Sequence, residues 1–254
     1  LLTNQRHELI LHMLHEAGFC QLQDLVHRTN TSESTIRRDL NELEQQGLLE
    51  RIHGGAQLKQ RAVGDERMAE REQSHPTEKR HLAEYIAAAY LRDYQAIFLD
   101  AGTTVAMLIP HLKERAGLTV YTNSVQTASM LADADIPNII PGGQVKPQTK
   151  AIVGAIAARF LGSVHVDLAF IGTNGISARA GLMTPDPEEA AIKQVMISAA
   201  RRSIVLADHS KFDQQALVTF AQPDDVDEIV TDFIPSPLQN DFRRFTTIKE
   251  LTSN

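Results

Sequence analysis

The stretch from Ser32 to Ala56, SESTIRRDLNELEQQGLLERIHGGA, constrains this chain more than any other. Ser32 can accept a first-turn N–H and so begin a helix. Along that helix Ile36, Leu40 and Leu43 recur on one face, which leaves Ser34, Arg38, Asn41 and Gln45 opposite and Thr35 and Arg37 on the flanks. Gly47 is a stop signal, Leu48 to Ile52 reads as a short strand, and His53-Gly54-Gly55-Ala56 as a tight turn. Upstream, Leu9, Ile10, Met13, Leu14 and Ala17 repeat at three- and four-residue steps and predict a helix from Asn4 to Ala17. Leu22, Leu25 and Val26 mark a shorter helix ending near Thr29-Asn30-Thr31.

Two helices, a capped helix with arginines on its polar face and a Gly-Gly hairpin, in that order, predict a winged helix-turn-helix over residues 1–57. Arginine can pair with guanine or grip phosphate, asparagine can read adenine, and hydroxyls bind phosphate oxygens. The candidate DNA-binding residues are Ser34, Thr35, Arg37, Arg38 and Asn41 on the helix, with Arg51, His53 and Gly54 on the wing. Bulk charge gives this no support, because the formal net charge is −7 and residues 1–60 hold six basic against eight acidic side chains. The expectation rests on where the arginines sit.

At 254 residues the chain suits a small domain plus a medium one. Cys20 is the single cysteine, so an intrachain disulfide or a cysteine metal cluster is excluded. No apolar stretch approaches the roughly 18–20 residues that span a bilayer. The opening LLTNQRHELILHMLHEAGF has no basic leader, so a cytoplasmic location with no membrane partner is expected. His7, His12 and His15 lack an organising carboxylate cluster in sequence and read as exposed helix residues; no metal or cofactor is expected.

Residues 58–76 are charged, poor in large apolar side chains, and read as a partly helical linker. Residues 77–254 then form the second domain. After a helix over 77–92, buried-type runs at 96–99, 118–121, 138–140, 166–171, 203–207 and 228–231, with a late one at 245–248, alternate with helical segments at 105–115, 125–132, 152–161 and 187–201. The expected fold class is α/β, a mostly parallel sheet covered on both faces. Gly, Thr and Asn crowd the ends of the strand runs: Asp100-Ala-Gly-Thr-Thr104, Thr122-Asn123, Gly142-Gly143 and Gly172-Thr-Asn-Gly175. Ligands of open α/β sheets bind beyond the carboxyl ends of the strands, and such turns offer N–H groups and hydroxyls to an anion. Lys146 and Lys211 can add charge.

From Thr35 through Ala56 the chain resembles the DeoR family of bacterial transcriptional repressors, with Glu33 standing where that family often has Pro. The resemblance extends over the second domain. It implies a sensor of the sugar-phosphate isomerase and CoA-transferase type of fold, binding a phosphorylated sugar through Asp100, Gly102, Thr103, Thr104, Thr122, Asn123, Gly142, Gly143, Lys146, Gly172, Asn174, Gly175, Glu188, Asp208 and Lys211, with Ser210 beside them. Lys146 replaces an Arg found in many members. The segment Gly181 to Ala190 is similar to that of fructose-operon regulators and implies a phosphoketose such as fructose 1-phosphate. The partners implied are double-stranded operator DNA, a small phosphorylated sugar, and further copies of the chain in a dimer or tetramer. The competing expectation is a sugar-phosphate isomerase-like enzyme with an appended helical domain, for which Asp100, Asp167, Glu188, Glu189, Asp208, His209 and Lys211 are acid/base candidates.

Overall fold

The computed structural model describes residues 3–45, 48–52, 54–58, 68–245 and 247–251. The chain divides into two compact units, Leu1–Arg61 and Ala62–Asn254.

In the first unit, α1 (Thr3–Ala17), α2 (Leu22–Thr29) and α3 (Glu33–Gln45) pack around Ile10, Leu14, Leu25, Ile36, Leu40 and Leu43. A three-stranded antiparallel sheet covers them, with β1 (Phe19–Gln21) and β2 (Leu49–Ile52) flanking β3 (Gly55–Leu58). The strand β1 has no counterpart in the sequence reading. It lies so close to β3 that a Cβ on Gly55 would sit 2.1 Å from the Cys20 carbonyl oxygen. Only glycine fits there.

The second unit opens with α4 (Met68–Gln73), which falls within the expected linker, and α5 (Pro76–Tyr90). The elements β4 (Ala96–Leu99), α6 (Thr103–Ala106), α7 (Ile109–Leu112), β5 (Thr119–Thr122), α8 (Val125–Asp133) and β6 (Asn138–Ile139) follow. The expected helix over 105–115 is two single turns instead. Pro110 lacks an N–H, and its ring would collide with the carbonyl four residues back, at Ala106, where α6 ends. A hairpin of β7 (Gln144–Val145) and β8 (Ile152–Val153) takes the first residues of the expected 152–161 helix, leaving α9 (Ala155–Gly162). Then come β9 (Val166–Gly172), β10 (Gly175–Ser177), β11 (Gly181–Thr184), α10 (Pro187–Ala199), β12 (Ala200–Leu206), β13 (Val218–Ala221), β14 (Glu228–Thr231), α11 (Gln239–Phe242) and β15 (Ile248–Glu250).

Seven strands form one sheet in the order β15-β14-β12-β9-β4-β5-β6, parallel at every pairing. Side chains alternate across it with period two. Ile97 and Leu99 of β4, with Leu168 and Phe170 of β9, face α5, α6 and α7 through Leu82, Ile86, Val105 and Leu112. Phe98, Ala169 and Ile171 face α9 and α10 through Leu161, Ile192 and Met196. The late strand begins at Ile248, opposite Ile229, rather than at Phe245. Phe245 instead closes a turn onto Phe242, its N–H donating to the Phe242 carbonyl at 3.0 Å. A small antiparallel sheet, β10-β11-β13, was not expected from the sequence.

The chain runs outward from β4 through β5 to β6, then returns to β9 on the other side of β4 and continues through β12, β14 and β15. The order therefore reverses between β4 and β9, and a doubly wound sheet opens a crevice beyond its carboxyl ends at that point. Among the described residues no helix is long and apolar enough to cross a membrane.

Candidate functional site

The helix α3 holds five of the residues expected to read DNA, from Ser34 to Asn41. The Ser32 hydroxyl accepts the Thr35 N–H at 3.3 Å and contacts the Thr35 hydroxyl at 2.9 Å. Ser34, Arg37, Arg38 and Asn41 are exposed, while Ile36, Leu40 and Leu43 are buried. Arg37 donates to Glu33 at 2.7 Å across one exposed turn. On the wing, Arg51 donates to the Asn41 side-chain oxygen, and its own N–H is held by Glu44 at 2.9 Å. Gly54 takes φ +86° at the hairpin turn. A cleft of about 330 Å3 runs between helix and wing, lined by Arg37, Leu40, Arg51, Ile52 and Gly54 among others. His53 lies outside the described residues.

Beneath this face sits a buried ion pair that bulk charge counting hides. Arg6 of α1 grips Asp39 of α3 in a two-pronged contact, 2.6 and 2.8 Å. The reading of His7 as a plain exposed residue is corrected: its ring lies 3.2 Å from Asp39 and 3.7 Å from Glu42. His12 is exposed. With Arg6 paired to Asp39, the outward arginines among the described residues of the unit are those of α2, α3 and the wing.

In the second unit the reversal point gathers Asp100 and Gly102 after β4, Thr122 and Asn123 at β5, and Gly172 at the end of β9. Gly102 and Gly172 stand face to face, a Cβ on the first lying 3.9 Å from the Cα of the second. Thr103 and Thr104 open α6, almost buried at 8% and 9% exposed. Asp100, Thr122 and Asn123 are more deeply placed, at 1%, 0% and 2%. Their side chains are engaged by backbone: Asp100 accepts the Gly172 N–H at 3.0 Å, Thr122 accepts Ser124 at 3.1 Å, and Asn123 accepts Ala101 at 2.9 Å. These three shape the wall of the crevice.

Lys193, from the middle of α10, is the residue that sequence reading missed. It is 3% exposed; its ammonium donates to Asp100 and, at 2.9 Å, to the Gly172 carbonyl, and lies 5.5 Å from the centre of the Phe220 ring. One buried cation thus joins the ends of β4 and β9. A lysine between Ile192 and Met196, in the largely apolar run AAIKQVMI, was the available signal.

The other expected ligands form separate groups. Gly142 and Gly143 precede β7, and Lys146 follows it, reaching Asp186 and Glu188 at 2.7 Å each. Hydrogen bonds from those two carboxylates push the Lys146 ammonium well above the ordinary lysine value. Burial raises the Asp186 carboxyl, but Lys146 and the Glu188 and Glu189 N–H groups outweigh it and hold the group low. Asp186 caps α10, accepting those N–H groups at 2.8 and 3.3 Å, and Thr149 donates to Glu189 at 2.5 Å. Asn174 and Gly175 lead into β10, with Asn174 accepting from Thr184 at 3.2 Å. Asp208 is fully buried and caps the short turn His209–Lys211, on which Lys211 is half-buried.

Comparison with known proteins agrees with both units. The DeoR-like helix-turn-helix domain matches residues 6–62 and the DeoR C terminal sensor domain matches residues 74–233. The chain is 38% identical to the uncharacterized HTH-type transcriptional regulator FruR of Bacillus subtilis, covering 91% of this chain and 92% of that protein. It is 34% identical to the HTH-type transcriptional regulator GlpR of Haloferax volcanii, covering 91% of each. Identity to the glycerol-3-phosphate regulon repressor of Escherichia coli is 30%, again over 91% of each. Among solved structures, a ribose 5-phosphate isomerase A from Methanocaldococcus jannaschii is similar over 55% of each chain, at 19% identity and a TM-score of 0.42. The relatives at 30% identity and above are named as regulators and repressors, which decides between the regulator and the isomerase expectations. The chain belongs to the DeoR family of helix-turn-helix transcription regulators, with a DNA-binding unit followed by a sensor unit.

Proposed function

We propose that this regulator represses a carbohydrate-utilisation operon and leaves its operator when a phosphorylated sugar binds in the crevice between β4 and β9. The observation that carries the reading is the reversal point itself, where Gly102 and Gly172 bring two loop backbones together beside the buried ammonium of Lys193. Backbone N–H groups, the Thr103 and Thr104 hydroxyls and a fixed cation are what a phosphate dianion needs. Gly142, Gly143, Lys146, Asn174, Gly175, Glu188 and Lys211 line the surrounding loops and contact the sugar. Asp100, Thr122, Asn123 and Asp208 hold the loops in place. Ser34, Thr35, Arg37, Arg38 and Asn41 enter the DNA groove, with Arg51, His53 and Gly54 at the backbone beside it. The working form is a dimer or tetramer, since two-fold copies match paired half-sites.

The resemblance of Gly181–Ala190 to fructose-operon regulators favours a phosphoketose such as fructose 1-phosphate. The relative named for the glycerol-3-phosphate regulon makes glycerol 3-phosphate the necessary rival. Fluorescence anisotropy on DNA from upstream of the regulator's own operon, with each compound added in turn, tests both halves. One sugar phosphate is expected to release the DNA and to stabilise the protein by about 2.7 kcal/mol at a hundred times its Kd. Release by nucleotides alone would reject the effector class.

A further inference from the structure

We propose that His75, Asp208 and His209 bind one divalent transition-metal ion of the zinc class, just beyond the carboxyl end of β12. A donor atom from each of the three residues lies within 4.8 Å of the other two. Asp208 is 0% exposed, and its two oxygens differ sharply. Oδ1 accepts the Ser210 N–H at 3.0 Å and the Ser210 hydroxyl, whereas Oδ2 has no hydrogen-bond partner. A buried, unpartnered carboxylate oxygen is costly, and a cation is the partner that best offsets the cost.

His209 is prepared as a ligand. Its Nδ1 lies 2.6 Å from Asp232 Oδ2, and its backbone N–H donates to Asp232 Oδ1 at 2.7 Å. The Thr231 hydroxyl donates to the same carboxylate at 3.2 Å. Phe233 stacks on the ring with centroids 4.4 Å apart and planes 16° from parallel. A carboxylate on one imidazole nitrogen fixes the tautomer and leaves Nε2 as the lone-pair donor, the arrangement that metal-binding histidines use. His75 immediately precedes Pro76 of α5 and meets the His209 ring edge-on, centroids 4.9 Å apart at 80°. Rings so disposed can aim one nitrogen each at a common point.

Two imidazoles and one carboxylate suit zinc or its first-row neighbours rather than magnesium or calcium. Three protein ligands also leave a coordination position open. Among the described residues a second cluster, His7, Asp39 and Glu42, also has suitable donors, but it is a poor rival because Arg6 already holds both Asp39 oxygens. The proposal does not depend on the sugar-phosphate reading.

The test uses full-length protein stripped with a chelator. Zinc uptake is followed by calorimetry and counted by elemental mass spectrometry, and cobalt uptake is followed by its visible absorption. One equivalent is expected in the wild type and in His7→Ala. His209→Ala and Asp208→Asn should lose it, and Asp232→Asn should weaken it about 10–100-fold, because Asp232 is a positioning residue. Should the Asp208 and His209 variants fail to fold, His75→Asn reads the site instead. It keeps a residue tolerant of the left-handed backbone at φ +51° and should bind zinc at least tenfold more weakly. No uptake by the wild type, or uptake undiminished in the folded variants, would overturn the proposal.

Discussion

The Arg6–Asp39 pair shows how single residues decide whether the reading face stands. Burial raises the Asp39 carboxyl, but the Arg6 guanidinium, with His7 behind it, outweighs that and holds the group below the ordinary carboxylate range. A depressed folded value means that the pair's contribution is complete above about pH 4 and is lost as pH falls through the lower folded value. Asp39→Asn leaves Arg6 buried without its counter-charge and is expected to cost about 3–5 kcal/mol near neutrality. Urea melts at pH 7 and pH 3 check the sign, since the wild-type advantage must shrink in acid. Lys193→Met strands Asp100 in the same way and should cost a similar amount, about 3–5 kcal/mol. Adding Asp100→Asn should recover part of it, a coupling that a double-mutant cycle measures. The exposed Arg37–Glu33 pair is a different case: it is worth little to stability, and under the proposed role of Arg37 Glu33 competes with DNA for the arginine. Glu33→Ala should leave the melting curve unchanged and tighten operator binding. Arg37→Ala with Arg38→Ala should abolish specific binding and reduce the slope of log affinity against log salt by roughly 2. Anisotropy titrations over a range of salt read both effects.

At the scale of elements, α3 was legible because Ile36, Leu40 and Leu43 mark one face while Ser32 and Gly47 bracket its ends. The large parallel sheet was legible from its apolar runs. Its order was not, because which strands pair is decided by crossovers that local patterning does not encode. The three-residue β1 is too short to show a period, and Phe19 and Gln21 on it are exposed. The strands β10, β11 and β13 are almost wholly apolar or small, so alternation gives no sign of them. The crevice was half legible: its Gly and Thr loops announce themselves, but Asp100 and Lys193 meet from positions 93 residues apart. The same holds for His75 and Asp208. The Gly54-Gly55 pair reads in the sequence as a tight turn at the tip of the wing, and its second glycine has the stricter duty of letting β1 approach β3. Gly55→Ala must push β1 away from β3, an overpacking cost of about 1–3 kcal/mol. It should weaken operator binding through the displaced wing while leaving effector-induced stabilisation of the sensor unit intact, and thermal shift beside anisotropy separates the two.

For the whole molecule, a DNA reader and a sensor on one chain make a switch only if the two ligands favour different states. Thermodynamic linkage then fixes a relation that needs no knowledge of how the units are arranged. If the effector lowers operator affinity by a given factor, operator DNA must lower effector affinity by that same factor. A hundredfold effect corresponds to about 2.7 kcal/mol of coupling, and an effector that binds both states equally shifts nothing, however tightly it is held. Calorimetric titration of fructose 1-phosphate or glycerol 3-phosphate into free and operator-bound protein yields one side of the relation, and operator titrations with and without the compound yield the other. Equal factors are expected for the true effector. A compound that binds tightly yet leaves operator affinity unchanged occupies the protein without working the switch. A compound that releases DNA while its own affinity for the protein is indifferent to DNA must act other than by binding the protein, for instance by binding the DNA itself. The second pattern would remove the crevice between β4 and β9 from the regulatory mechanism, because no binding energy spent there could then reach the operator.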